Sequence, residues 1–177
     1  MNIVLIGFMG TGKSAVGKKL AQRLRMGYLD TDELIEKREK RKIFQIFQEK
    51  GEGYFRKVET QVVKEVASRD NYVIATGGGV VLKEENVAAL RKNGFIICLS
   101  ADPETIWRRT ANDSKRPLLE GKDPRKRIED LLKTRKPYYQ KADFTIETSK
   151  LSDEEVVERI ITTLKKRDSY ASPIRES

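Results

Sequence analysis

Residues 7–14 read Gly7-Phe-Met-Gly-Thr-Gly-Lys-Ser14. They follow a short apolar run, Ile3-Val-Leu-Ile6, and precede a stretch with apolar residues at 16, 20, 21 and 24. This is the GxxxxGK(S/T) pattern in full, in the strand–loop–helix setting that gives it meaning. The glycines let consecutive backbone N–H groups turn inward towards phosphate oxygens, and the helix N-terminus behind them adds positive potential. Lys13 brings a mobile charge to the outer phosphates. Ser14 offers a hydroxyl oxygen to a magnesium ion, which prefers hard oxygen ligands. A bare glycine-rich turn is the alternative, and the complete motif in the right setting outweighs it.

The rest of the chain alternates in the same way. Tyr28-Leu29, Tyr72-Val-Ile-Ala75, Phe95-Ile-Ile-Cys-Leu99 and Phe144-Thr-Ile146 read as further short strands. Helical spacing is expected over Ser14 to Arg25, Glu33 to Lys42, Phe44 to Lys50, Gly53 to Ala67, Glu84 to Lys92, Pro103 to Thr110, Arg125 to Thr134 and Ser152 to Lys166. Asp102 caps the sixth of these, with Pro103 at its first position. Pro137 is expected to close the helix before it. The last ten residues are polar and read as a frayed tail. Apolar strands alternating with helices predict a parallel sheet covered on both faces, with ligands at the carboxyl ends of the strands.

Composition removes whole chemistries. The 177 residues contain no histidine and one cysteine, so histidine triads, histidine-bound zinc, disulfides and cysteine clusters are excluded. Cys98 lies in an apolar strand and reads as a buried filler. Trp107 reads as packed on its helix. No apolar run approaches the roughly 18 residues of a membrane span, and the short apolar opening is no signal peptide. A cytoplasmic protein is expected. The net charge of +9 arises from 36 basic and 27 acidic residues. Acids interleave with the bases, as in Glu33-Leu-Ile-Glu-Lys-Arg-Glu-Lys-Arg-Lys42, which marks solvated helix faces rather than a nucleic-acid surface.

The loop fixes triphosphate binding but not the reaction, because GTPases, motor ATPases and small-molecule kinases share it. No N/T-K-x-D segment reads a guanine. The third and fourth strands run into Thr76 and Ser100 rather than an Asp. A small kinase is left as the leading class. Three further clusters bear on its acceptor. Asp30-Thr-Asp32 follows the second strand; its carboxylates can serve a metal shell and a substrate hydroxyl, or Asp32 or Thr31 can simply cap the next helix. Gly77-Gly-Gly79 follows the third strand and permits close backbone approach to a ligand. Arginines stand at Phe55-Arg56, Arg116-Pro-Leu-Leu119 and Arg135-Lys-Pro137.

Together, in this order and spacing, these pieces resemble the shikimate kinase family over about residues 2–165. The resemblance implies the nucleoside monophosphate kinase-like fold, a three-layer α/β/α domain with a five-stranded parallel sheet of order 2-3-1-4-5. It also implies transfer of the γ-phosphoryl group of ATP to the 3-hydroxyl of shikimate. ATP would contact Gly10, Thr11, Gly12, Lys13, Ser14 and Ala15, with Arg109 near the adenine and Arg116 at the transferring phosphate. Ser14 and Asp30 would hold Mg2+. Asp32 would bind the reacting hydroxyl and act as its base, so Lys13, Asp32 and Arg116 form the catalytic set. Arg56 and Arg135 would clamp the shikimate carboxylate, Gly78 and Gly79 would donate to its oxygens, Glu59 would orient Arg56, and Phe47 and Phe55 would wall the pocket. One domain is expected over 1–167, with substrate-binding helices at about 31–67, a lid at about 111–122 and a tail at 168–177. A monomer without nucleic-acid or membrane partners is expected. The rivals are a gluconate or nucleoside monophosphate kinase, a nucleotide-dependent nucleic-acid binder and a catalytically silent regulatory module.

Overall fold

The apolar runs form strands buried on both faces, and the amphipathic stretches between them cover the sheet. The protein is described by a computed structural model over residues 1–111 and 123–171. In chain order the elements are β1 (Asn2–Ile6), α1 (Lys13–Leu24), β2 (Gly27–Asp30), α2 (Thr31–Glu39), α3 (Ile43–Ala67), β3 (Tyr72–Ala75), a 3-10 turn (Val80–Leu82), α4 (Glu84–Lys92), β4 (Gly94–Ser100), α5 (Pro103–Thr110), α6 (Pro124–Tyr139), β5 (Phe144–Glu147) and α7 (Asp153–Ala171). The sheet is parallel throughout, in the expected order 2-3-1-4-5.

The central strand β1 shows how the layers form. Ile3 and Leu5 pack with Val16 and Leu20 of α1 and with Val156 and Ile160 of α7. Val4 and Ile6 point the other way, into a layer with Val62, Leu90, Ile106 and Ile128. Side chains alternate with period two while both faces are covered, so the strand needs no polar side. Each fully buried aliphatic side chain contributes roughly 1.5–3 kcal/mol. Packing of this kind fixes where the strands end. Register then pairs Leu5 with Ala75 and Asp30 with Ala75 on its other side, which brings the loop after β1, Asp30 and Gly77 to one edge of the sheet.

Several boundaries depart from expectation. α2 starts at Thr31 because the carboxylate of Asp30 accepts from the N–H groups of Asp32 at 3.0 Å and Glu33 at 3.4 Å. The cap is therefore Asp30, neither Thr31 nor Asp32. The two helices expected at 44–50 and 53–67 meet across a kink at Gly51, whose φ of 79° is open to glycine at little cost. α6 runs through Pro137 to Tyr139 instead of stopping before the proline. The lost N–H bond is offset by the burial of Arg135 and Tyr139, whose hydroxyl donates to the Gly78 carbonyl at 2.7 Å. α7 continues past Lys166 to Ala171, into the segment read as a frayed tail. Its start is fixed by reciprocal bonds between Ser152 and Glu155. Asp102 caps α5 as expected, accepting from the Thr105 N–H at 2.7 Å. Trp107 is half-buried beneath the Arg125 guanidinium. The expected lid, with Arg116, Pro117, Leu118 and Leu119, lies outside the described residues. No described helix is long and apolar enough to cross a membrane.

Candidate active site

The loop after β1 is built mainly by backbone. Gly12, at φ 94°, turns the chain into α1. The Thr11 hydroxyl donates to the Phe8 carbonyl at 2.7 Å. Lys13 is buried, and its ammonium donates to the carbonyls of Gly7 and Phe8, both at 2.8 Å. Gly10, Thr11, Gly12, Ser14 and Ala15 complete the arch and the first turn of the helix.

Ser14 connects this loop to the end of β2. Its hydroxyl donates to Asp30 Oδ2 at 2.8 Å, and the Tyr28 hydroxyl donates to the same oxygen at 3.1 Å. Oδ1 is taken by the two capping N–H groups. Asp30 thus has both carboxylate oxygens engaged and a fixed orientation. Asp32, the second residue of α2, is different. It is half-buried with its Oδ1 buried and without a partner, and burial of the carboxyl pushes it up to about 7, helped by the neighbouring carboxylates of Asp30 and Glu59. Two acids two residues apart are therefore held in unlike states, one oriented by hydrogen bonds and one poised to exchange a proton near neutral pH.

Between α2, the first half of α3 and the end of β3 lies a cavity of about 490 Å³. Met9, Asp32, Phe47, Arg56, Gly79 and Arg135 are among its lining residues. Arg56 lies against the Gly79 backbone so closely that a Cβ there would stand 2.4 Å from the guanidinium. A Cβ on Gly77 would stand 2.7 Å from Asp32 Oδ1. At Gly77 and Gly79 a side chain would have to displace these two functional groups. Arg56 NH1 donates to Glu59 Oε2 at 2.7 Å. Glu59 is buried, which raises its carboxyl above the ordinary range against the pull of Arg56 and Arg135. Arg135 is buried with its NH1 unpartnered, 5.6 Å above the Phe8 ring at its guanidinium carbon. The rings of Phe47 and Phe55 pack at 4.8 Å, tilted by 44°. Gly78 approaches the loop itself: a Cβ there would stand 3.4 Å from the Gly7 carbonyl oxygen and the Met9 nitrogen.

All the expected acceptor residues converge here: Asp32, Phe47, Phe55, Arg56, Glu59, Gly78, Gly79 and Arg135 line one cavity. Arg109 stands apart from it. Its guanidinium donates to the Gly10 carbonyl at 3.2 Å and to the Thr148 hydroxyl and carbonyl at 3.3 and 3.2 Å. Its neighbour Arg108 turns back to the Thr105 hydroxyl instead. Arg116 lies outside the described residues. Sequence reasoning missed Thr31, whose hydroxyl accepts from the Gly77 N–H at 3.0 Å and fastens the aspartate cluster to the triple glycine. It also missed Met9 and Tyr139. A threonine between two aspartates at a strand end was the available signal for the first. Cys98 is buried, and burial raises its thiol to about 11, as suits a filler.

Comparison with known proteins fits this arrangement. The family model described as shikimate kinase matches residues 9–165. The chain belongs to the shikimate kinase family. The shikimate kinase of Caldanaerobacter subterraneus subsp. tengcongensis is 51% identical over 160 residues, covering 90% of this chain and 94% of that one. The shikimate kinase of Thermodesulfovibrio yellowstonii is 49% identical over 160 residues, covering 90% and 92%. Among solved structures, shikimate kinase from Acinetobacter baumannii in complex with shikimate superposes with a TM-score of 0.91 at 38% identity, covering 94% of this chain and 93% of that one. The family places a small ATP-dependent kinase on this sheet order, and the described elements follow it.

Proposed function

We propose that this protein transfers the γ-phosphoryl group of ATP to the 3-hydroxyl of shikimate, with the cavity beside the phosphate loop as the acceptor site. The observation that carries the reading is the convergence of three buried polar atoms without partners, Asp32 Oδ1, Glu59 Oε1 and Arg135 NH1, on the elements around that one cavity. A small ligand with hydroxyls and a carboxylate satisfies such a set. The carboxylate goes to the guanidinium groups of Arg56 and Arg135, whose planar forks match it. The backbone N–H groups of Gly78 and Gly79 meet ligand oxygens, and Phe47 and Phe55 cover the ring.

Asp32 takes the proton of the reacting hydroxyl. The hydroxyl oxygen forms its bond to the γ-phosphorus while the bond from that phosphorus to the β,γ-bridging oxygen breaks, and ADP leaves. A carboxyl held near 7 is matched to this exchange at neutral pH. The amides of Gly10, Thr11, Gly12, Ser14 and Ala15, with the Lys13 ammonium, bind the phosphates. Arg109 closes the nucleotide side. The hard oxygens of Ser14 and Asp30, 2.8 Å apart beside the loop, suit Mg2+, which leans on one or two protein oxygens and on phosphates. When bound, the ion neutralises phosphate charge. Transfer then needs positioning and electrostatics, which a chain without histidine can supply.

Surface charge is assigned no further partner. Lys42 pairs with Glu36, Arg41 with Glu49 and Lys50 with Glu39, so much of the basic run on α2 and α3 is matched by neighbouring acids. This reading carries with it a monomer acting in the cytoplasm. A coupled ADP-release assay with Mg-ATP and a panel of shikimate, gluconate and nucleoside monophosphates tests it. Shikimate alone should stimulate release strongly, and EDTA should abolish it. Turnover with gluconate or a nucleotide and none with shikimate would remove the assignment.

A further inference from the structure

The guanidinium of Arg56 has three sides, and each is occupied. One lies on the Gly79 backbone, and NH1 is bound by the buried carboxylate of Glu59. The third side, formed by Nε and NH2, is held by Glu52. Both nitrogens donate to the single oxygen Oε1, at 3.4 and 3.2 Å. Arg56 is one-tenth exposed, whereas the Glu52 side chain is half exposed. Glu52 therefore reaches in from the solvent side to the edge of Arg56 that the protein interior leaves open.

We propose that Glu52 is an affinity-setting residue: its carboxylate stands in for the acceptor's carboxylate on Arg56 and must be displaced when the acceptor binds. The inference rests on the proposed acceptor, a small carboxylate.

The contact is built to give way. It is a one-oxygen contact at long distances, whereas an incoming carboxylate can take Nε and NH2 with one oxygen each, in the geometry a guanidinium prefers. An i,i+4 pair with one half-exposed partner is weak. Glu52 also has somewhere to go. It is the first residue after the Gly51 kink, so its charge stays near the start of the second half of α3 when its side chain swings into water. Gly51 and Gly53 on either side meet nothing within 4 Å of a would-be Cβ, which leaves room for that swing. Glu59, by contrast, is buried and bound on the far side, so Arg56 keeps its direction when Glu52 leaves. Removing the Glu52 charge should therefore strengthen acceptor binding, because one competitor is lost and one like charge is removed from the site.

Titration calorimetry of shikimate into the full chain, wild type against Glu52→Gln and Glu52→Ala, reads this directly. Both variants should bind shikimate about threefold more tightly than wild type, and ADP binding should stay within twofold. The gain should shrink as salt rises, since an exposed charge is screened. Unchanged or weaker shikimate binding in the two variants, with melting temperatures near wild type, would overturn the proposal and make Glu52 a support of Arg56. Binding to wild type without gain in the variants removes the latch alone. No binding to any of the three chains removes the acceptor assignment and the latch with it.

Discussion

The two halves of the site are built by opposite means. On the nucleotide side, polar groups are satisfied within the chain: Thr11 and Lys13 donate to loop carbonyls, and Ser14 donates to Asp30. On the acceptor side, Asp32 Oδ1, Glu59 Oε1 and Arg135 NH1 are buried without partners. Among the described residues one other side-chain atom shares that condition, Asn86 Oδ1, on α4. An unmet buried group costs about 1–3 kcal/mol. The loop can thus exist at low cost without its ligand, whereas the acceptor pocket carries a standing cost that a matching ligand relieves. On the proposed function, backbone supplies a general grip on phosphate, and side chains supply the choice of acceptor.

The sharpest way to break this contrast is at Asp32. Asp32→Asn keeps the shape and removes the base, so kcat should fall by about 100-fold or more, while ADP binding by calorimetry changes little. A kcat within threefold of wild type would show that the unmet oxygen is incidental. Next in size is Arg135→Ala. A buried guanidinium facing a carboxylate is lost, and shikimate binding should weaken by at least ~2 kcal/mol. Equal weakening of shikimate and ADP would erase the difference between the halves and point to a folding defect.

The contrast also explains what the sequence disclosed. A site made of backbone is contiguous, because consecutive amides must come from consecutive residues. Gly7 to Ser14 was therefore legible at sight, and so was β1 before it. The acceptor pocket draws Asp32, Arg56, Gly79 and Arg135 from four separate segments. No period or spacing joins them, and they became visible as a set only through resemblance to a family. Which of Asp30-Thr-Asp32 caps α2 stayed open because neighbouring carboxylates look alike in sequence until the backbone places them. Pro137 misled for a related reason. Its local cost is real, but Arg135 and Tyr139 are anchored by tertiary contacts that no local rule contains. The α7 boundary was likewise read from composition, and polar residues at a helix end carry little signal about where it stops.

A third effect is smaller and concerns stability. Asp32 titrates near 7 in the folded chain, above the ordinary value of 3.8. Between those values the folded chain keeps a proton that the unfolded chain has released. The stability this contributes is full below about 4 and is lost as the pH rises through 7. Asp32→Asn carries no such charge. The ligand-free variant should therefore melt several degrees above wild type at pH 8, and the gap should narrow as the pH is lowered to 5 and close near pH 4. A gap that stays constant across this range would mean that Asp32 is not the strained group.

The smallest effect belongs to the nucleotide side, at Arg109. This residue ties Gly10 of the loop to Thr148 beyond β5 through three bonds of 3.2–3.3 Å, all near the length limit of useful hydrogen bonds. Thr148 has other support, since its hydroxyl also donates to the Ser100 carbonyl at 2.9 Å and its N–H to the same carbonyl at 2.8 Å. The loop has its own, from Thr11 and Lys13. Removing Arg109 therefore leaves no buried group stranded. It deletes a positive charge beside the nucleotide and loosens one wall. For Arg109→Ala the ATP KM should rise about threefold, in line with a partly exposed charged contact, while shikimate binding stays within twofold. An equal loss for shikimate would mean that the wall at Thr148 reaches the acceptor pocket, and the two halves would then have to be treated as one network.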